Sequence, residues 1–370
     1  MRPSAVLPTL ALAAASTLAV TIAVTLVATP AHAGPPPTCG STLTVDTRLR
    51  ADLTCPADGL RLAPGVTLDL GGHTLRGPGT GVGVAVSNEG TVTVRNGTLA
   101  DWGHAVQTIF PADEESVSGP LVVRRVTVQD NAVGVSASGE DTTGRWRKPT
   151  TVDRSTFLRN DIGLLVAWFG SAEVDRSTFT DNRVGLFNDA GDATVTDSRF
   201  LRNERGYVAT EASGHIEGST FADNATAVRQ NNVGSVTIVD SRFTGSVTAV
   251  DAIGWEAAVS GSTFVSNTTA VAVGEYGGAV IGSTFRQNGT TVRVPDMLSG
   301  PALVQDNTFL RNADGLDSTL GDPYLEVGGN VARGNTGWGL HVPGATDLGG
   351  NTARNNGNEP QCVGVVCATS

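Results

Sequence analysis

The chain is poor in lysine and in aromatic residues, and it has no long apolar run beyond its N-terminal stretch. One lysine, Lys148, stands among 25 basic residues, set against 36 acidic ones, for a net charge of −11. So acidic a chain lacks the basic face that nucleic acid requires, which argues against such a partner. No zinc-type Cys/His spacing, phosphate-cradling P-loop or nucleophile elbow is present, so neither a metal nor a cofactor is expected. Arginine in place of lysine, with abundant Ala, Gly, Val and Thr, suggests a GC-rich bacterial genome.

The single apolar stretch covers residues 5–28, follows Arg2 and precedes Ala31-His32-Ala33. It is long enough to span a bilayer. The small-x-small site and the following Gly34-Pro35-Pro36-Pro37 mark residues 1–33 instead as a cleaved secretory signal. The mature chain, residues 34–370, is therefore expected outside the cell and off the membrane, with a net charge of −12 once Arg2 is gone.

What the chain has in quantity is a repeat, Val/Ile-x-x-Ser-x-Phe-x-x-Asn. Its phenylalanines are Phe157, Phe179, Phe200, Phe221, Phe243, Phe264, Phe285 and Phe309, at steps of 22, 21, 21, 22, 21, 21 and 24 residues. A fixed period of this size predicts a solenoid whose coils bury their apolar faces only by stacking. Three residues after each Phe stands Asn, or Ser246 in one coil; five before seven of them stands Val or Ile. The β-branched runs between polar corners predict strands and turns, with Phe inside and Asn stacked on Asn at a corner. A leucine-rich repeat has similar spacing, but residues 185–192 are rich in Gly and Asp and make a poor helix.

The period, the Asn column and the β-rich composition resemble the right-handed parallel β-helix repeat proteins of the pectate-lyase-like superfamily, of the secreted bacterial type. The resemblance extends weakly upstream through Leu75, Leu99 and Val128, and downstream through Asn330 and Asn351. It implies an all-β right-handed parallel β-helix of roughly 12–13 coils, about 60 Å long at the usual strand spacing. The caps would be residues 34–75, with Val66-Thr67-Leu68-Asp69-Leu70-Gly71-Gly72-His73, and residues 355–370. In such a rod Cys39 and Cys55 lie at one end and Cys362 and Cys367 at the other. Only local pairs satisfy disulfide geometry, and each would pin a cap in an oxidising compartment.

Function is expected where the period breaks. The steps Leu99 to Val128 and Val128 to Phe157 are both 29 residues, so two adjacent coils carry insertions. The first holds Asp113-Glu114-Glu115, the second Arg145-Trp146-Arg147-Lys148-Pro149. Neighbouring insertions in a solenoid fall on one face and can wall a cleft. Trp146 would be a stacking platform for a sugar ring, with Arg145, Arg147 and Lys148 meeting carboxylates or hydroxyls. An alternative site is the corner 10–13 residues after each Phe, which carries Trp168, Phe169, Trp255, Glu256 and Tyr276. Acids also recur just before the Phe, as Asp153, Asp175, Asp197, Glu217, Asp240 and Asp306, at offsets that alternate between three and four. For catalysis, Asp101, His104 and Arg124 could act as acid, base or charge neutraliser, His104 lying one coil before the first insertion.

No catalytic signature of the resembled family is found: no paired Asp-Asp with Gly-His-Gly, no Asp-Pro-His-Asp, no Arg-x-x-Arg framed by an acidic metal cluster. If the protein is an enzyme, it would be a polysaccharide lyase, epimerase or glycoside hydrolase. The expected function is binding, with processing as a further step, of an extracellular polysaccharide. The competing expectation is a non-catalytic structural or surface-interaction rod.

Overall fold

The computed structural model describes residues 36–368 except 87–89, 109–119, 139–148, 253–254, 296–297 and 319–322. The expected signal, residues 1–33, lies outside the described residues. The chain winds as a right-handed parallel solenoid of about 13 turns, all strand and no helix among the described residues. Most turns contribute one short strand to each of three parallel sheets, while Val92–Ala100 and Leu121–Gln129 each run unbroken through the first two. In the Phe179 coil the first sheet receives Ser171–Asp175, the second Thr178–Thr180 and the third Val184–Asp189. Strands of successive coils pair in strict register, so Phe179 lies beside Phe157 and Phe200, and Val174 beside Val152 and Val195.

Two left-handed residues make the first two bends. Arg176 (φ 46°) separates the first sheet from the second, and Asp181 (φ 56°) the second from the third. Glycine replaces them in later coils, as Gly261 and Gly245. Asp and Gly suit such bends, whereas arginine is held there by the surrounding register.

The interior is a set of single-residue columns. The eight repeat phenylalanines are fully buried and stack with ring centroids 4.5–5.1 Å apart. Seven Val and Ile residues from Val152 to Val280 form the second column. The third sheet contributes Leu164, Leu186, Tyr207 and Val228 in register. Tyr207 is wholly enclosed; burial pushes its phenol pKa well up, while Asn188 Nδ2 lies 3.2 Å from its hydroxyl.

Two polar ladders close the corners. In the asparagine ladder the backbone N–H and the Nδ2 of Asn160 both donate to Asn182 Oδ1, at 2.9 and 3.1 Å. Asn182 Nδ2 in turn donates to the Phe157 carbonyl at 3.0 Å, so every amide group of the corner has a partner. A second ladder uses the repeat serines: Ser155 N–H donates to Ser177 Oγ, Ser177 N–H to Ser198 Oγ, and so on to Asn307. Trp102 starts the asparagine ladder. Its N–H donates to Asn131 Oδ1, and its indole N–H donates to the Leu75 carbonyl, the bond that Nδ2 makes in later coils. Room for that ring comes from Gly77, where a Cβ would stand 2.4 Å from the indole. Gln361 ends the ladder, its Oε1 accepting from both N–H groups of Asn356.

Both disulfides are local, as expected: Cys39–Cys55 with Cα atoms 5.5 Å apart and Cys362–Cys367 at 6.2 Å. They lie at opposite ends of the rod and fit an oxidising compartment.

Candidate functional site

A strand shows alternate residues to one side, so positions four and six before each Phe face outward on the first sheet. From coil to coil the register builds two rows. One runs Arg95, Arg124, Asp153, Asp175, Thr196, Glu217; the other runs Thr93, Val122, Thr151, Glu173, Thr194, His215. Between the Arg124 and Thr196 strands the surface forms a cleft of about 450 Å³. Its wall residues include Arg124, Asp153, Glu173, Asp175, Arg176 and Thr194.

Asp153 is the best enclosed of these, with 14% of its side chain exposed. Its Oδ2 lies 2.9 Å from Arg124 Nε and 3.1 Å from Arg154 Nη1, and its buried Oδ1 makes no hydrogen bond, with Arg176 Nη2 3.6 Å away. Asp175 accepts from Arg176 Nε at 2.6 Å and from the Thr196 hydroxyl at 3.3 Å. The hydrogen bond to Asp175 raises the Arg176 guanidinium above its ordinary pKa, fixing it as a cation. The surface thus alternates guanidinium donors, carboxylate acceptors and hydroxyls over neighbouring strands, a pattern that can satisfy a ligand rich in hydroxyls.

Asp153 and Asp175 sit on adjacent strands, about 4.8 Å apart by backbone, near the separation of a retaining carboxylate pair. Guanidiniums hold both of them.

The sequence-predicted residues divide among several places. Arg124 lies in this cleft. Asp101 sits at a left-handed bend (φ 59°) and pairs with Arg76. His104 opens the third-sheet strand His104–Thr108, half-buried; burial lowers its pKa, and its Nδ1 has no hydrogen-bond partner. That strand leads straight into the first insertion, so His104 shares its coil rather than preceding it. Asp101, His104 and Arg124 therefore do not form one constellation. Arg145, Trp146, Arg147 and Lys148 lie outside the described residues. Trp255 and Tyr276 do meet, ring centroids 4.1 Å apart and tilted by 34°, with Glu256 exposed beside them.

The described strand ends that flank both insertions lie at the corner that carries the second sequence-predicted site. Both insertions leave the third sheet, after Thr108 and Ser138, and rejoin the first sheet at Leu121 and Thr150. The Trp168–Phe169 turn and the Trp255–Tyr276 pair occupy the same corner in later coils. The strands that follow the insertions, Leu121–Gln129 and Thr150–Asp153, carry Arg124, Thr151 and Asp153 into the cleft. Glu173, Thr194 and Arg176 were not singled out in the sequence, although their offsets of six and three residues before a Phe already placed the first two outward.

Comparison with known proteins gives a fold. Residues 113–269 match the family model described as a right handed beta helix region. No curated relative matches the chain. Among solved structures, the chain is similar to one titled "Crystal structure of Agl-KA catalytic domain", at 12% identity and a TM-score of 0.30, over 85% of this chain. The chain spans 61% of that structure's length. The family match lies on the central coils of a solenoid that continues to both disulfide-pinned ends, so the fold of the described chain is a right-handed parallel β-helix.

Proposed function

We propose that this is a secreted β-helix protein that binds an extracellular polysaccharide across the first sheet, beside the two insertions. The observation that carries the reading is the 450 Å³ cleft, where Arg124, Asp153, Glu173, Asp175 and Thr194 bring donors and acceptors onto a rigid sheet. Rigid strands hold such groups in place at low entropic cost, which favours recognition. The aromatic corner borders the start of the same strands, and Trp146 in the second insertion supplies a further ring for stacking. The two disulfides and the N-terminal apolar run with Ala31-His32-Ala33 support export.

A glycan array with the mature protein tests the reading, followed by titration of the best hit. Arg124→Ala and Glu173→Gln are expected to weaken binding by about 1–2 kcal/mol each, as for hydrogen bonds to charged groups. Trp146→Ala should cost a similar amount through lost stacking, and Trp255→Ala less. Thr263→Ala, on the second sheet, should leave affinity unchanged. Loss at Trp255 alone moves the site along the corner.

A second reading has its own support, because Asp153 and Asp175 are already paired with the protein's own arginines. Under it the rod is structural and the cleft is filled by intramolecular ion pairs. An array without any hit, together with unchanged melting of the cleft variants in every glycan tried, would favour that role.

A further inference from the structure

The corner between the second and third sheets changes character along the rod. In the earlier coils it alternates in charge and neutralises itself. Arg159 pairs with Asp130 at 2.7 Å, and Arg202 pairs with Asp181 at 2.8 Å. In the last coils the acids disappear from this column and arginines accumulate. The left-handed position reads Gln287, Arg311, Gly334, Asn355, and the strand position before it reads Arg286, Leu310, Arg333, Arg354. The four arginines are exposed, and among the described residues none has an ion-pair partner. A cleft of about 460 Å³ opens between Arg286, Arg311 and Arg333, with Leu310 and Asn355 among its lining residues.

This arrangement is costly unless something occupies it. Arg333 and Arg354 are direct register partners, and like charges opposite one another on neighbouring strands are destabilising. Asp314, three residues beyond Arg311, forms no ion pair with it, and its Oδ1 accepts the Trp338 N–H at 2.6 Å. An otherwise acidic protein, net −11, thus concentrates unpaired guanidiniums at one place.

We infer that this corner is a second binding site, independent of the cleft on the first sheet, for an extended acidic polysaccharide. The recognised chemistry is a repeated oxyanion, sulfate or carboxylate. Guanidinium forks bind such groups bidentately. Strand stacking sets neighbouring arginines about 4.8 Å apart and alternate ones at about twice that, so one stretched chain can meet several charges in turn. The protein's net negative charge disfavours a polyanion over the surface as a whole, which favours a local cluster of arginines as its site.

The test is titration of the mature protein with dextran sulfate, polygalacturonate, neutral dextran and duplex DNA, at low and high salt. Salt-sensitive binding to dextran sulfate or to polygalacturonate is expected, which identifies sulfate or carboxylate, with none to neutral dextran. The double variant Arg311→Ser/Arg333→Ser should lose at least tenfold in affinity without any loss of thermal stability. Arg159→Ser, at the same corner but ion-paired, should bind as wild type. Arg199→Ser, an exposed arginine on the second sheet of an earlier coil, should also bind as wild type, which separates this corner from arginines elsewhere on the rod. Binding to neither acidic polymer, retention by the double variant, equal loss in Arg159→Ser, or DNA bound as tightly as dextran sulfate would each overturn the inference.

Discussion

Ser246 is the one serine in a ladder otherwise made of asparagine from Asn131 to Asn356. Its hydroxyl is buried without a hydrogen-bond partner, and the side chain is too short to offer Asn224 the acceptor that every other coil provides. An asparagine there would accept from the coil before and donate to Asn267 Oδ1, as Asn267 itself does with Asn288. Ser246→Asn is therefore expected to stabilise the protein by about 1 kcal/mol, the net worth of a buried hydrogen bond without an added unsatisfied group. The check is a urea melt, in which the midpoint should rise at constant slope. An unchanged or lower midpoint would mean that the corner at this coil has no room for the amide.

At the scale of elements, the caps do what the coils cannot do for themselves. A solenoid ends in open strand edges and an unfinished ladder. Gln361 finishes the ladder by accepting two N–H groups from Asn356 while its Nε2 donates to the Asn356 and Asn358 carbonyls. Gln361→Ala should cost about 1–3 kcal/mol of local stability, from donors left unsatisfied. Faster amide exchange in residues 352–363 would show it, with the central coils unaffected. Asp347 holds the same cap. It accepts from the Val366 and Gly349 N–H groups, and those bonds set its pKa below the ordinary aspartate value. A lowered folded-state pKa means the stabilisation is complete above the unfolded value, about 3.9, and is lost as pH falls through the folded one. Protection of the Gly349 and Val366 amides, taken relative to their intrinsic exchange at each pH, should accordingly fall below about pH 4 in wild type and show no such fall in Asp347→Asn.

The columns that build these elements were legible because each places one residue type per coil. Phe, Asn and Val recur at fixed offsets, so their stacking follows from the period alone. The serine at two before Phe was equally regular, yet its ladder was not anticipated, since serine also reads as ordinary turn chemistry. The alternating acid offsets have a structural meaning: at four residues before Phe, Asp153, Asp175 and Glu217 face outward on the first sheet, while at three, Asp197, Asp240 and Asp306 occupy left-handed bends. The strands before the insertions end nine residues after Leu99 and ten after Val128, at or just short of the aromatic corner's offset, so that corner's position was present in the numbers. The cleft itself was not, because it depends on arginines from three coils converging on Asp153, a relation across coils that no single repeat displays.

The whole molecule is a one-dimensional stack, in which each coil touches only its two neighbours. Stability in such an array is a sum of coil and interface contributions, and damage at the centre acts on two interfaces at once. Phe200 is fully buried between Phe179 and Phe221, with centroids at 4.7 and 4.6 Å. Phe200→Ala removes both contacts and leaves a cavity that the flanking rings, fixed by their own ladders, cannot close, so it should cost about 3–5 kcal/mol. Arg202, two residues on, makes only an exposed ion pair with Asp181, and Arg202→Ala should cost less than about 1 kcal/mol. Because coils on either side keep their own neighbours, the loss in Phe200→Ala should appear first as amide exchange in the Phe179, Phe200 and Phe221 coils, with both disulfide-pinned ends still protected. Uniform exchange along the whole rod would show instead that the columns couple every coil into one cooperative unit.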